Sequence, residues 1–194
     1  MMNLDSQTTF VPQPVRLRFS VDEYYKMIEL GMLQDYEKAE IIEGEMIKKM
    51  TIGDRHAVAV NLLNRFFSKN VGDNIMIGVQ NPLRLTDFDE PQPDVVLSDL
   101  TKYDGKRHPR ANEAILVVEV SDSTLKYDRD TKIPLYAAAE IPEVWIVNLI
   151  NNIIEVHQKP SNGIYQLAKI YSPGEVLRSD ALPNLSLEVN KILD

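Results

Sequence analysis

The run Ile115-Leu116-Val117-Val118-Glu119-Val120 constrains this chain more than any other segment. Apart from Glu119 it is wholly apolar, with no alternation between the two faces a strand presents. A strand of this kind must be covered on both sides, which puts it at the centre of a sheet. An isolated charge inside it is costly unless something balances it. A salt bridge at a strand end is the plain explanation for Glu119. A metal site or a catalytic role is the sharper one, because buried acids gather at functional sites.

The surrounding pattern supplies the rest of the sheet. Thr131 to Glu140 reads as a helix with Pro134 near its start, where proline is tolerated. Val144 to Leu149 reads as a second buried strand. The order strand, helix, strand from 115 to 149 predicts a crossover unit within a mixed sheet. Upstream, Ile75 to Val79, Leu83 to Leu85 and Asp94 to Leu97 have strand character. Downstream, Asn151-Asn152 and Asn162-Gly163 mark hairpin turns around Ile153 to His157 and Tyr165 to Tyr171. Ser20-Val21-Asp22-Glu23 is a capping box that opens a short amphipathic helix, with Gly31 as its stop. Ala39 to Lys48 reads as a hairpin turning at Glu43-Gly44-Glu45. Asp54 to Asn70 is the strongest helix, with Ala59, Val60, Leu62, Leu63, Phe66 and Phe67 in a wide apolar stripe. The expected class is α/β (α+β): a mixed central sheet flanked by helices, with C-terminal β-hairpins.

At 194 residues the chain fits one domain, over 15–194, preceded by a polar, proline-containing tail over 1–14. No apolar run reaches the ~18 residues that span a bilayer. The first residues lack the basic start and apolar core of a secretory signal. No membrane association is expected, and the cytoplasm is the default location. The absence of cysteine excludes disulfides, thiolate catalysis and cysteine-based zinc sites. The net charge of -8 argues against broad electrostatic binding of nucleic acid, which calls for an excess of Lys and Arg. A nucleic-acid partner therefore needs a local basic region. Lys102, Lys106, Arg107 and Arg110 against Asp104 give +3 over 102–110, either a phosphate-binding loop or a solvated one.

Pro93 suits the first position of a strand, so Asp94 lies near a strand end. A strand-entry turn residue is its plain reading. If its strand neighbours that of Glu119, the two carboxylates can meet, and a hard cation with a preference for oxygen ligands would relieve their repulsion. Lys132 sits in the first turn of a predicted helix, where the helix dipole disfavours a cation. A solvated surface charge is its plain reading. Tyr136 follows one turn later on the same face. His56 shares a helical face with Val60 and Leu63 and reads as a core-edge histidine. His108 and His157 show no ligand spacing, so no histidine-based metal triad is expected.

Taken in order, Glu40-Ile41-Ile42-Glu43-Gly44-Glu45, His56, Gln92-Pro93-Asp94-Val95-Val96, Val117-Val118-Glu119-Val120-Ser121-Asp122-Ser123-Thr124, Asp128, Lys132, Tyr136 and Ile141-Pro142-Glu143-Val144-Trp145-Ile146-Val147 resemble the Uma-two family. These are restriction-endonuclease-like proteins of the PD-(D/E)XK nuclease superfamily, and the resemblance runs from about residue 20 to 190. It implies a restriction-endonuclease-like fold, with Asp94 as the PD aspartate and Glu119 as the acid of the second element. Orthodox members carry lysine two residues after that acid, where this chain has Ser121. The resemblance implies that the lysine has moved to the following helix, as Lys132. It makes Glu40 the extra acid that superfamily members carry on an early helix, whereas the local pattern puts Glu40 in a hairpin. His56, Ser121 and Tyr136 are accessory candidates. The implied cofactor is Mg²⁺ or Mn²⁺, held by Asp94, Glu119 and the Val120 carbonyl.

Two functions follow. The first is a metal-dependent endonuclease that hydrolyses DNA phosphodiester bonds, for which cutting both strands would favour a two-fold homodimer. The second is a catalytically inactive binding or assembly module that keeps the nuclease fold, which the acidic balance and Ser121 favour. A sugar- or nucleotide-binding role lacks the glycine-rich phosphate loop it would need.

Overall fold

The computed structural model describes residues 16–33, 39–49 and 51–193, so the tail expected over 1–14 lies outside the described residues. Six strands form the main sheet in the order β3-β4-β5-β6-β7-β8. They are β3 (Ile75–Val79), β4 (Val95–Asp99), β5 (Ala114–Ser121), β6 (Glu143–Asn148), β7 (Ile153–Ser161) and β8 (Ile164–Tyr171). The apolar run over 115–120 is therefore the interior strand β5, between the strand that follows Asp94 and the strand that begins near Val144. β5 and β6 pair in parallel, with Val118 opposite Trp145, and every other neighbouring pair in this sheet is antiparallel.

Both faces of β5 are covered, as its composition requires. On one face α2 (Asp54–Asn70) lays Leu63 and Phe67 over Leu116, Val118 and Trp145. Leu177 and Leu187 join that core from the two-stranded β9 (Val176–Arg178) and β10 (Ser186–Glu188). On the other face a smaller cluster gathers Val96, Val117, Tyr136, Ile141 and Val144. The side chains of β5 alternate between these two cores, so Glu119 points with Val117 toward the second.

A parallel pair needs a long return connection, and here it spans 122–142. It starts as helix earlier than the sequence predicts. A single turn, α3 (Leu125–Tyr127), runs into a π-helical turn over Asp128–Lys132 and then α4 (Ile133–Ala138). Proline lacks an amide, and its ring crowds the carbonyl four residues earlier. The widened turn ahead of Pro134 accommodates both faults within a continuous helical path.

Other expectations need correction. Leu83 to Leu85 forms no strand; only an isolated bridge joins Arg84 to Arg110. The segment instead curls back, with the Leu85 and Thr86 amides both donating to the Asp89 carbonyl. The C-terminal hairpins do form, turning near Asn151-Asn152 and Asn162-Gly163, and their strands β6, β7 and β8 belong to the main sheet. Nearer the N-terminus, α1 (Val21–Glu29) carries the expected capping box. The hairpin β1 (Ala39–Ile42) and β2 (Glu45–Lys48) turns through Glu43 and Gly44, both at positive φ, as a two-residue hairpin turn demands. A side chain at Gly44 would collide with Arg18, its Cβ lying 2.6 Å from that of Arg18.

Glu143 anchors the start of β6. It is fully buried and accepts from Trp145 Nε1 (2.6 Å), Gln158 Nε2 (3.0 Å) and the Asp180 and Ala181 amides (2.8 and 3.0 Å). Glu143→Ala leaves the buried Trp145 and Gln158 donors without their acceptor, so at about 1–3 kcal/mol for each it should cost roughly 2–5 kcal/mol in a denaturant titration. Ser20→Ala, which removes only the α1 cap, should cost about 1 kcal/mol.

Candidate active site

Asp94 immediately precedes β4, and β4 stops pairing with β5 at Val95 and Val118. Beyond that point β5 continues for three residues with an open edge, and Asp94 folds over it. Asp94 Oδ2 accepts the Val120 amide at 2.9 Å and meets His56 Nε2 at 3.0 Å, while Oδ1 accepts Gln80 Nε2 at 3.2 Å. Burial presses the Asp94 carboxyl upward, but His56, the Val120 amide and Gln80 outweigh it and hold its pKa below the ordinary value. A strand residue's N–H and C=O leave on the same side. The Val120 carbonyl therefore faces the same gap at the end of β4.

Glu119 and Lys132 meet from opposite sides of the crossover. Lys132 closes the π-helical turn, buried at 5% exposure, and does not reach into solvent as a surface charge would. Its Nζ donates to Glu119 Oε1 at 3.1 Å and to Glu40 Oε1 at 2.9 Å. Tyr136 donates to the same Glu119 oxygen at 2.6 Å. Both donors fall on Oε1, which leaves the lone pairs of Oε2 to the cleft that Glu119 lines. Glu40 lies on β1, as the local pattern predicts, and not on a helix. Its Oε1 also accepts the Gln92 amide at 2.9 Å, and Lys49 Nζ stands 3.9 Å away.

The electrostatics follow from burial. Burial pushes the Glu119 carboxyl up to about 8; Asp128, Asp94 and Glu40 add to the rise and Lys132 opposes it. Burial works against the Lys132 ammonium, yet Glu119, Glu40 and Asp128 more than offset it and its pKa lies above the lysine norm. Asp128 is also raised, by burial first, against the pull of Lys132 and hydrogen bonds from Ser121 and Thr124. Both hydroxyls donate to Asp128 Oδ2 at 2.7 Å.

Asp94, Glu119, Lys132, Glu40, His56 and Val120 thus line one cleft of about 580 Å³. Ser121 and Tyr136 stand behind it, one fixing Asp128 and the other Glu119. Lys126 is the alternative lysine of this segment, and it is spent on an exposed pair with Asp130. The basic residues of 102–110 do not line the cleft. Arg107 is held by both oxygens of Glu113 and Lys102 pairs with Asp99.

One member of the site, Gln80, was missed, and Asp128 was named in the motif set without a role. Gln80 follows β3 at a positive φ of 53° and bonds Asp94 through its side chain. The only sequence signal was its place in a turn before Pro82. The role of Asp128 could have been read from its spacing, four residues before Lys132 on a helical path. His56 does share the core-facing side of α2, but the helix begins beyond the end of the sheet, where its first turn overhangs Asp94.

Fold and site together define a nuclease-fold protein with buried carboxylates and a lysine at the end of its central strands. A structural neighbour carries the same fold: a protein from Anabaena variabilis ATCC 29413 described as a "putative nuclease belonging to DUF820". It matches with a TM-score of 0.65 and 16% identity, covering 90% of this chain and 97% of that one. The family model Uma2, described as "Putative restriction endonuclease", matches residues 21–190, and the chain belongs to that family. No curated protein matches it. Among the described residues, no helix is long and apolar enough to cross a membrane.

The Glu119 shift fixes the sign of a pH dependence. Its folded pKa, about 8, exceeds the ordinary value of 4.5. Its contribution to stability is therefore complete below about pH 4.5 and is lost as pH rises through about 8. Melting temperature in metal-free buffer should fall across this window, and Glu119→Gln should flatten the fall. Lys132→Met leaves Glu40 and Glu119 without their shared cation and should cost roughly 3–5 kcal/mol, with the largest loss at the alkaline end.

Proposed function

We propose that this protein is a metal-dependent endonuclease that hydrolyses DNA phosphodiester bonds. The observation that carries the reading is the convergence of Asp94, Glu119 and Lys132 on one cleft at the open end of β5. Membership of a restriction-endonuclease-like family supports it.

The donor set fits a hard cation such as Mg²⁺ or Mn²⁺. Among the described residues no three His, Asp or Glu side chains converge closely enough to hold an ion by themselves. Asp94 Oδ1, Glu119 Oε2 and the Val120 carbonyl would hold it, with water completing the shell. A cation bound there would polarise the phosphate and lower the pKa of a bound water.

The remaining roles belong to the chain. His56, Gln80 and the Val120 amide fix the Asp94 carboxylate, so its orientation is set before substrate arrives. Tyr136 and Lys132 do the same for Glu119. An ammonium has three N–H donors. Two of those on Lys132 are taken by Glu40 and Glu119, and the third is left for the attacking water or a phosphate oxygen, where charge grows in the transition state. Glu40 keeps Lys132 charged and in place.

Purified protein should nick plasmid or cut single-stranded DNA with Mg²⁺ or Mn²⁺ and lose that activity in EDTA. Asp94→Asn and Glu119→Gln should each lower the rate by roughly 10²–10³-fold. Either metal should also raise the melting temperature more near pH 8 than near pH 5, because the cation competes with the proton on Glu119. A metal-insensitive protein that binds DNA without cutting it would instead be a nuclease fold turned to binding.

A further inference from the structure

Resting on that reading, we infer that the cleft takes one unpaired nucleic-acid strand and not an intact duplex. A cleft of about 580 Å³ falls within the range that holds a single drug-sized ligand, room for about one or two nucleotides. The carboxylates lie deep in it: Asp94 is 5% exposed and Glu119 3%. A strand can bend a phosphate down to that depth more readily than a duplex, whose second strand travels with it.

Proteins that hold single strands pair cations along the backbone with flat side chains on which bases stack. Both are present here. Lys48 and Lys49 line one wall from β2 and the segment after it. Lys48 is exposed and enters no ion pair among the described residues, so its charge is available to a phosphate. Tyr127 lines the cleft from α3, with its ring half-buried. Its hydroxyl is closed off and takes no hydrogen bond, so the residue's chemical offer to the cleft is the ring. Ile52 adds a second apolar surface, 48% exposed at the mouth. A duplex shows its phosphates and keeps its base faces stacked inside. A half-buried ring and an exposed aliphatic side chain beside the free Lys48 suit bare base faces, which a duplex does not offer. Asp122 also lines the cleft and repels phosphate, and Lys49 is held by the Gln92 carbonyl, which leaves the wall at Lys48 as the backbone's path.

The fold supplies the register. Tyr127 stands five residues before Lys132 on the same helical path, so a base resting on its ring lies beside the lysine that would meet the phosphate. A chain of net charge -8 cannot hold many phosphates, and a strand one or two nucleotides deep in a pocket asks it to hold few.

The test is fluorescence anisotropy of the full chain in EDTA, with a labelled mixed-sequence single-stranded oligonucleotide and the same sequence as a blunt duplex. The single strand should bind at least about tenfold more tightly. Tyr127→Leu should weaken it by about tenfold, whereas Tyr127→Phe, which keeps the ring, should bind like the parent and melt no lower. Lys48→Ala should reduce the slope of log affinity against log salt by about 0.7, the value for one phosphate contact on a single strand. With Mn²⁺ added, a mixture of the two DNAs should be consumed single strand first. Equal or tighter binding of the duplex, or a Tyr127→Leu variant that binds as the parent does, overturns the inference while leaving a nuclease that cuts duplex DNA intact. If neither DNA is bound, nor cut with either metal, the nuclease reading itself fails and takes this one with it.

Discussion

Lys132 between Glu40 and Glu119 is the contact on which the site's architecture turns. The three residues come from a hairpin near the N-terminus, the central strand and the crossover helix, and all are nearly inaccessible. Any one of these charges, buried alone, would be strongly destabilising. Each segment therefore reaches its native position only when the other two are in theirs. Such a triad adds little net stability over an apolar core of equal volume, since three groups must lose water to form it. What it supplies is position: it ties the hairpin, whose Ile41, Glu43 and Gly44 amides already bond the 88–90 segment, to the end of β5.

The location of the lysine follows from how the crossover is tied down. Two residues beyond an acid on a strand, a side chain returns to the same face. A lysine at position 121 would thus stand beside Glu119 on β5. Ser121 occupies that place and donates to Asp128, at the first residue of the π-helical turn. Thr124 holds the same carboxylate oxygen. Strand end and helix start are thereby fastened together, and the turn that begins at Asp128 ends at Lys132, above Glu119. The hydroxyl at 121 does not replace the lysine chemically. It fixes the segment that delivers the lysine, so that the ammonium arrives from above the sheet and not from within it.

The parts of this structure that were legible in the sequence are those set by local pattern. An apolar run uninterrupted on both faces can only be an interior strand, and β5 extends just one residue beyond it at each end. The amphipathic stripe and its bounds gave α2, and the capping box gave the start of α1. The Leu83 to Leu85 segment misled because its leucines alternate as a strand's would, while the fold of the chain back on Asp89 depends on residues that follow it. The site was legible in part. Glu119 announced itself by being a charge in an apolar run. Lys132 and Glu40 did not, since each is an ordinary charged residue until a contact 92 positions away in sequence buries both. His56 looked like a core residue because its helical face is one, and nothing local says where a helix projects past the sheet it covers.

The distribution of arginine bears on how a polyanion could approach. Arg84 bonds Asp22 and Asp87, Arg107 grips Glu113, and Arg129 grips Glu155. The planar guanidinium is the side chain best suited to phosphate, and these three are committed to carboxylates of the same chain. With a net charge of -8, the far field of the molecule repels DNA and slows encounter at low ionic strength. Salt shortens that repulsion to about 8–10 Å at physiological ionic strength, so attraction must come from contacts made within the cleft. On the proposed function, a protein built this way would gain little affinity from length of DNA, because its net charge opposes flanking phosphates. On that function, selectivity would reside in what the cleft admits: the shape of the opening between β2 and α3, the unpaired Lys48 and the apolar side chains that line it.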